Sequence, residues 1–213
     1  MEVFTIGYSS FKLNDFIATL QHYGIKCLVD VRSLPYSQYH SEYNKESLAG
    51  ELKKYEIMYR NYAREFGARQ DDRKFYDSEG LLDFKSFIKS NEFQSGVEKI
   101  KKGIEMGYSF ALMCAEKDPI NCHRAIMVGQ GFAKVGFSVK HIKGDKTIET
   151  QEELEQRLLD MYFKDRGQIS LFSDEIESDD VLVEKGYALR NKEIGYRLGS
   201  DSEREENLWK FTQ

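Results

Sequence analysis

Short apolar segments and segments with helical spacing alternate along the first 142 residues of the chain. Apolar runs of the strand type occupy residues 2–6, 25–31, 57–59, 108–114 and 137–142. Most of the segments between them place apolar residues three and four positions apart, which predicts helices. Strands and helices that alternate in this way are joined by right-handed crossovers. The pattern therefore predicts an α/β protein, a three-layer fold with a mainly parallel sheet flanked by helices.

The helix ends are indicated by capping and terminating residues. We expect Asn14 to cap the first helix, which Gly24 ends, and Asn121 to cap the helix that follows the fourth strand. A break near Ser90 should divide residues 84–106 into two helices.

The alternation of strands and helices ends near residue 145. Thr150, with Glu153 three positions later, forms a capping box that begins a charged helix, and an acidic stretch follows at residues 173–180. We therefore predict an α/β core domain at residues 1–145. Residues 146–213 are predicted to form a helical and acidic C-terminal extension that packs on the core, with its last residues disordered.

The charge of the chain is unevenly distributed. The 213 residues have a formal net charge of −5, but residues 1–166 hold 25 basic and 25 acidic side chains, so the whole excess lies in residues 167–213. A uniformly basic coat for nucleic acid is excluded. A neutral core remains compatible with a small anionic partner.

The sequence also bears on the compartment. No stretch approaches the roughly 18 apolar residues of a membrane span, and the first residues lack the pattern of a secretory signal. Three cysteines, an odd number, argue against a disulfide framework. We therefore expect a cytoplasmic protein with free thiols and no membrane partner.

Polar and reactive side chains follow three of the predicted strands. Ligands of an open parallel sheet bind outside the carboxyl ends of its strands, so these side chains should converge in one crevice. In chain order they are Tyr8, Ser9, Asp30, Arg32, Ser37, Cys114, Glu116, Cys122, His123 and Arg124.

The segment after the fourth strand carries the strongest chemical signal. A helix N-terminus and an arginine attract anions and lower the pKa of a nearby thiol, which makes the thiol a nucleophile. Cys114 is the preferred nucleophile and Cys122 the alternative. The remaining expected functions fall into two groups: anion or substrate binding by Arg124, Arg32, Tyr8, Ser9, Ser37 and Tyr59, and proton transfer by Glu116, Asp30 or His123.

These residues lead to a functional hypothesis. We expect an enzyme, a thiol-dependent transferase or hydrolase, that acts on a small anionic or nucleotide-like substrate and needs no cofactor. The order of strand, cysteine, loop, arginine and helix resembles rhodanese-like sulfurtransferases and cysteine phosphatases, as does Asp30-Val31-Arg32. The resemblance implies a rhodanese-like or flavodoxin-like arrangement of the sheet. The loop departs from it, because ten positions separate Cys114 from Arg124 and no glycine lies between them.

A closer resemblance rests on several separated motifs. These are Thr5-Ile6-Gly7-Tyr8-Ser9, Asp30-Val31-Arg32 with Pro35 and Ser37, Tyr59, Phe66-Gly67, Cys114-Ala115-Glu116, Cys122-His123-Arg124 and His141-Ile142. In order and spacing they resemble the domain-of-unknown-function family DUF488, over residues 3–142. The resemblance implies a compact α/β fold with these polar motifs as its site, and it implies no particular reaction. Two departures are Tyr8, where histidine is frequent, and Ala68, where glycine is frequent.

Two other functions are compatible with the sequence. Residues 59–76 interleave arginines with aromatic residues, as single-stranded nucleic-acid or nucleotide binding requires, although tyrosines that pack over the sheet would give the same pattern. The second alternative is a zinc-binding interaction protein. Its ligands would be Cys114, Glu116, Cys122 and His123, but the paired spacing of a zinc motif is absent from the sequence, so we predict no metal site.

Overall fold

The computed structural model describes residues 1–166 and 177–199. The first half of the predicted acidic stretch and the last residues, 200–213, lie outside the described residues. None of the helices in the described part of the chain combines the length and the apolar character that crossing a bilayer requires.

Six strands form one sheet, and the five predicted strands are confirmed. Their bounds are Glu2–Gly7 (β1), Cys27–Asp30 (β2), Met58–Asn61 (β3), Phe110–Cys114 (β4), Ser138–Ile142 (β5) and Ile148–Thr150 (β6). The order across the sheet is β3-β2-β4-β1-β5-β6. The first five strands are parallel, and β6 pairs antiparallel with β5. The sequence analysis missed β6, because three residues are too few for a strand pattern.

Helices cover both faces of the sheet. Those of the described residues are Leu13–His22 (α1), Lys45–Lys53 (α2), Ala63–Phe66 (α3), Phe84–Ile88 (α4), Asn91–Glu105 (α5), the π-helix Arg124–Gly129, Gln130–Lys134 (α6), Gln151–Tyr162 (α7) and Asp179–Ile194 (α8). Gly24 ends α1 with a φ of +64°, as predicted, and Ser90 caps α5.

Two apolar cores lie on opposite faces of the sheet, because successive strand residues point to opposite sides. One core packs α1 and α2 against side chains such as Ile6 and Leu28. The other packs α4, α5, the π-helix, α7 and α8 against side chains such as Val29 and Leu112. The three-layer α/β fold is therefore confirmed, and the described part of the C-terminal extension packs on the core through Tyr187.

The topology places a crevice at the end of β4. The chain leaves β1 and β2 toward α1 and α2 on one face, but it leaves β4 toward the π-helix on the other face. In the sheet, β4 lies between β2 and β1. The loop after β4 therefore turns away from the loops after its two neighbours, and a crevice opens between them. This is the arrangement in which α/β proteins bind ligands.

Two predicted helix caps were wrong. Lys12 is the N-cap of α1 without a side-chain hydrogen bond, and Asn14 lies in the first turn. Asn121 ends a short 3-10 turn, Pro119–Asn121, in which the backbone N–H of Ile120 donates to the side chain of Asp118. The helix that Asn121 was expected to cap begins only at Arg124, as a π-helix, a form that often marks functional sites.

Candidate functional site

The ends of three adjacent strands bring the predicted polar segments together. Gly7 of β1 pairs with Cys114 of β4, and the backbone N–H of Val31 donates to the Met113 carbonyl at 3.0 Å. Ser9 closes the other side, where its backbone N–H donates to the Ala115 carbonyl at 3.1 Å. The segments after β1, β2 and β4 therefore line one edge of the sheet.

Two thiols and an imidazole form the centre of this edge. The Nδ1 atom of His123 lies 3.7 Å from the sulfur of Cys114 and 3.9 Å from the sulfur of Cys122. All three atoms lie within 4.8 Å of one another. The three residues are buried, and neither cysteine is in a disulfide. We call these three residues the thiol cluster.

The loop after β4 folds back to form the thiol cluster. Cys114 is the last residue of its strand, and the 3-10 turn Pro119–Asn121 then reverses the chain, so that Cys122 returns beside it. The other ring nitrogen of His123, Nε2, fixes the orientation of the ring, since it lies 3.1 Å from the carbonyl oxygen of Val31. A carbonyl can only accept, so Nε2 carries a hydrogen, and Nδ1 is the ring nitrogen that faces the sulfurs.

The two thiols have opposite electrostatic environments. Burial opposes ionisation of Cys122, but the hydrogen bond with Cys114 and the charges of Arg124 and His123 together lower its pKa well below the usual range. The same hydrogen bond, followed by burial, raises the pKa of the Cys114 thiol. Of the two thiols, Cys122 is therefore the one whose surroundings favour the thiolate.

Glu116 lies within electrostatic reach of the thiol cluster. Partial burial raises the pKa of its carboxyl group, and the negative charge of Cys122 acts in the same direction. A raised pKa brings a carboxyl group closer to the range in which it can transfer protons, although the charges of Arg124 and His123 act in the opposite direction.

Arg124 is fully buried behind the loop. Its Nη1 donates to the Glu116 carbonyl at 2.5 Å and its Nη2 to the Lys117 carbonyl at 3.3 Å. Within the described residues it forms no ion pair with a carboxylate, and its positive charge lowers the pKa of Cys122. These contacts fix the loop, while binding of a substrate anion by Arg124 stays a prediction.

Asp30, Arg32 and Tyr59 form a second polar cluster beside the first. Arg32 donates to both carboxylate oxygens of Asp30, with the shortest distance 2.6 Å, and to the Tyr43 carbonyl at 2.7 Å. The Tyr59 hydroxyl donates to Asp30 at 2.6 Å, and burial followed by the Asp30 charge raises the pKa of Tyr59. The guanidinium of Arg32 lies over the ring of Tyr8, 5.0 Å from its centroid.

The two predicted serines hold loops in place. The Ser9 hydroxyl donates to the Ala115 carbonyl at 2.6 Å. The Ser37 hydroxyl accepts from the His40 backbone N–H at 3.1 Å, and the Ser37 backbone N–H donates to Asn44 at 2.6 Å. Contact of either serine with a substrate stays a prediction.

A buried hydrogen-bond chain supports the π-helix, and it was not predicted from the sequence. His141 lies between the Thr5 hydroxyl, 2.8 Å away, and the Gln151 side chain, 2.9 Å away. Gln151 in turn donates to the Ala125 carbonyl at 3.3 Å and to the Tyr187 hydroxyl at 2.6 Å. The sequence motifs included His141 and Thr5, but neither their contact nor the role of Gln151 was predicted, because the partners lie far apart along the chain.

The Arg- and Tyr-rich segment 59–76 does not present its phenylalanines to solvent. Phe66 and Phe75 are buried in the core, so they offer no free ring face for stacking. Arg60 and Arg64 are exposed. Arg69, Arg73 and Lys74 are exposed as well, and nucleic-acid binding by these five basic residues stays a prediction.

The fold and the site define a three-layer α/β protein with a buried pair of thiols at the switch point of its sheet. The chain belongs to the family described as domain of unknown function DUF488, whose model matches residues 12–129, more than half of the 213 residues. No curated protein and no solved structure matches the chain. The motifs around Gly7 and His141 lie outside the matched range. The resemblance to rhodanese-like proteins is limited to the order of the motifs along the chain.

Proposed function

We propose that this protein is an enzyme, a thiol-dependent transferase or hydrolase, in which the Cys122 thiolate attacks an electrophilic atom of a small anionic substrate. A bond to sulfur forms, the bond to the substrate's leaving group breaks, and water or an acceptor molecule then takes the bound group from the sulfur. The observation that carries the proposal is the thiol cluster, in which two thiols and one imidazole lie within 4.8 Å at the carboxyl end of the central strand. A structural cysteine needs none of these neighbours.

Cys122 has the surroundings of a nucleophile. The Arg124 backbone N–H donates to its sulfur at 3.5 Å, and the thiol of Cys114 and the charge of His123 also favour the thiolate. In the sequence analysis Cys114 was the preferred nucleophile. The loop geometry reverses that order in our proposal, and Cys114 becomes the hydrogen-bond donor to the thiolate. Glu116 supplies or removes the proton of the reacting group.

Charges beside the loop that carries the thiol cluster favour an anionic substrate. A cavity of about 740 Å³ lies between the loops that follow β1, β4 and β5, and none of the three residues of the thiol cluster lines it. Lys117 and Lys143 line it, and neither forms an ion pair with any residue that the structure describes. Arg157 also lines the cavity, but Asp118 and Glu149 neutralise it. In this proposal the two lysines attract the anion, because Arg32 and Arg124 are buried and already donate to acceptors within the protein, although Nη1 of Arg32 and Nε of Arg124 have no partner among the described residues.

Selective alkylation tests the nucleophile. We expect iodoacetamide near neutral pH to modify Cys122 at least about tenfold faster than Cys27, since reaction requires the thiolate. Cys27 is the internal control, because it is also buried and its burial raises its pKa to about 11. Mass spectrometry of the peptides gives both rates in one sample. Equal rates at the two cysteines would overturn the proposal.

A pair of substitutions at Cys114 separates the hydrogen bond from the packing. Cys114→Ser keeps a donor beside Cys122, whereas Cys114→Ala removes it. We expect Cys122 to be alkylated several-fold faster in the serine variant than in the alanine variant. The same rate in both variants would show that Cys114 does not activate Cys122.

A further inference from the structure

We propose that Cys114, Cys122 and His123 form a binding site for a single Zn²⁺ ion with one coordination position left open. This site shares its residues with the proposed function, because a bound ion would be coordinated by the thiolate of Cys122. It stands on the arrangement of the three ligand atoms, two sulfurs and Nδ1 of the imidazole.

The distances from Nδ1 of His123 to the two sulfurs match those of a tetrahedral zinc site. With Zn–S near 2.3 Å and Zn–N near 2.0–2.1 Å, tetrahedral angles separate a sulfur from a nitrogen ligand by about 3.6 Å and two sulfurs by about 3.8 Å. The observed separations from Nδ1 are 3.7 Å to Cys114 and 3.9 Å to Cys122. The two Nδ1–sulfur distances would change by only a few tenths of an ångström, and the two sulfurs, which lie within 4.8 Å of each other, would approach by up to about 1 Å to hold the ion.

The surroundings of His123 are those of a metal ligand. A histidine that binds zinc almost always donates its other ring N–H to a carboxylate or a backbone carbonyl, which fixes the tautomer and the ring orientation. Here Nε2 of His123 donates to the Val31 carbonyl at 3.1 Å, and Nδ1 faces the two sulfurs. The backbone N–H of Arg124 donates to the Cys122 sulfur, as expected beside a thiolate ligand.

The chemistry of the ligands selects the metal. Two sulfurs and one imidazole favour zinc over magnesium and calcium, which prefer oxygen ligands. Three protein ligands leave the fourth tetrahedral position to water or to another molecule, which is the pattern of catalytic zinc sites. Of the four ligands suggested by the sequence, Glu116 lies outside the set that the structure brings together.

Zinc titration of the reduced, full-length, metal-free protein tests the site. With a chromophoric chelator as competitor, we expect one equivalent of Zn²⁺ to bind. Stoichiometric binding should be lost in Cys122→Ser and in His123→Ala, and retained in Cys27→Ser, whose cysteine lies in β2 outside the thiol cluster. Absence of binding, or binding that survives both substitutions, would overturn the proposal.

Cobalt substitution gives a readout that does not depend on variants that fold poorly. Co²⁺ bound to the wild-type protein should show the strong charge-transfer band of thiolate ligation, and a spectrum without this band contradicts the site. Alkylation of the metal-free protein keeps the two proposals separate. Rapid modification of Cys122 without zinc binding removes only the metal site, whereas zinc binding with slow modification of Cys122 removes only the nucleophile.

Discussion

Replacing Gly7 by alanine is expected to destabilise the protein by roughly 3 kcal/mol or more. A Cβ atom at Gly7 would lie 1.9 Å from the carbonyl oxygen of Glu116 and 3.1 Å from Nη1 of Arg124. The backbone of Gly7 is ordinary, with φ −106° and ψ 118°, so space and not conformation requires glycine. To admit the methyl group, the loop after Cys114 must leave its hydrogen bond with Arg124.

Urea unfolding of Gly7→Ala and of Gly50→Ala provides the measurement and its control. Gly50 lies within α2, and a Cβ atom there would meet nothing within 4 Å. Alanine at Gly50 is therefore expected to stabilise the protein by about 0.5–1 kcal/mol, because alanine favours a helix over glycine. Opposite signs for the two variants are the expected result. Wild-type stability of Gly7→Ala would contradict the close approach between β1 and the loop.

The close contact at Gly7 also predicts a chemical effect. Arg124 fixes the loop and balances the Cys122 thiolate, so a displaced loop should slow alkylation of Cys122 without changing that of Cys27. Any folded fraction of Gly7→Ala therefore reports whether loop position and thiol reactivity are linked.

The sequence predicted most of the fold because burial on both faces leaves continuous apolar runs in the parallel strands. Only the C-terminal end of α1 could be predicted. There Gly24 adopts a positive φ that favours glycine, whereas at the N-terminal end the N-cap Lys12 makes no side-chain hydrogen bond that a sequence signal could indicate. Helix α8 was missed because it buries only a few of its residues, among them Leu182 and Tyr187, and its charges are spread around it.

The candidate site was predictable in its location but not in its internal contacts. Asp30 and Cys114 end adjacent parallel strands, and the carboxyl ends of such strands meet at one edge. Which thiol ionises depends on how residues 115–121 fold back, and no residue pattern specifies that path. Likewise, Arg124 is satisfied by backbone carbonyls, which every residue possesses and no sequence motif identifies.

His141 is expected to make the protein sensitive to acid. It is fully buried, with Nδ1 accepting from the Thr5 hydroxyl and Nε2 donating to Gln151. This tautomer follows from the partners, since the side-chain amide of Gln151 already donates to the Ala125 carbonyl and the Tyr187 hydroxyl, which leaves its oxygen as an acceptor. The neutral ring therefore has a partner on each nitrogen, and a second ring proton has no acceptor prepared for it.

The electrostatic environment also opposes a charge on His141. Burial lowers its pKa from 6.5 to about 3, and the positive charges of Arg124 and Arg157 act in the same direction. The Gln151 hydrogen bond and the charge of Cys122 oppose the decrease without cancelling it.

The sign of the pH effect follows from proton linkage. Below about pH 6.5 the unfolded chain binds a proton at His141 that the folded protein excludes. The stability that the neutral ring provides is therefore complete above pH 6.5 and decreases as the pH falls toward 3, by roughly 1.4 kcal/mol per pH unit.

Because carboxylates also titrate in this range, the wild-type slope alone cannot identify the histidine, and the comparison must be made between variants. In His141→Gln the free energy of unfolding, measured in urea from about pH 7 to about pH 4.5, should fall less steeply than in the wild type, by roughly 1.4 kcal/mol per pH unit. The exposed His22 is the matched control, since His22→Gln should retain the wild-type slope. If the curves of His141→Gln and wild type run parallel, His141 is not buried in its neutral form.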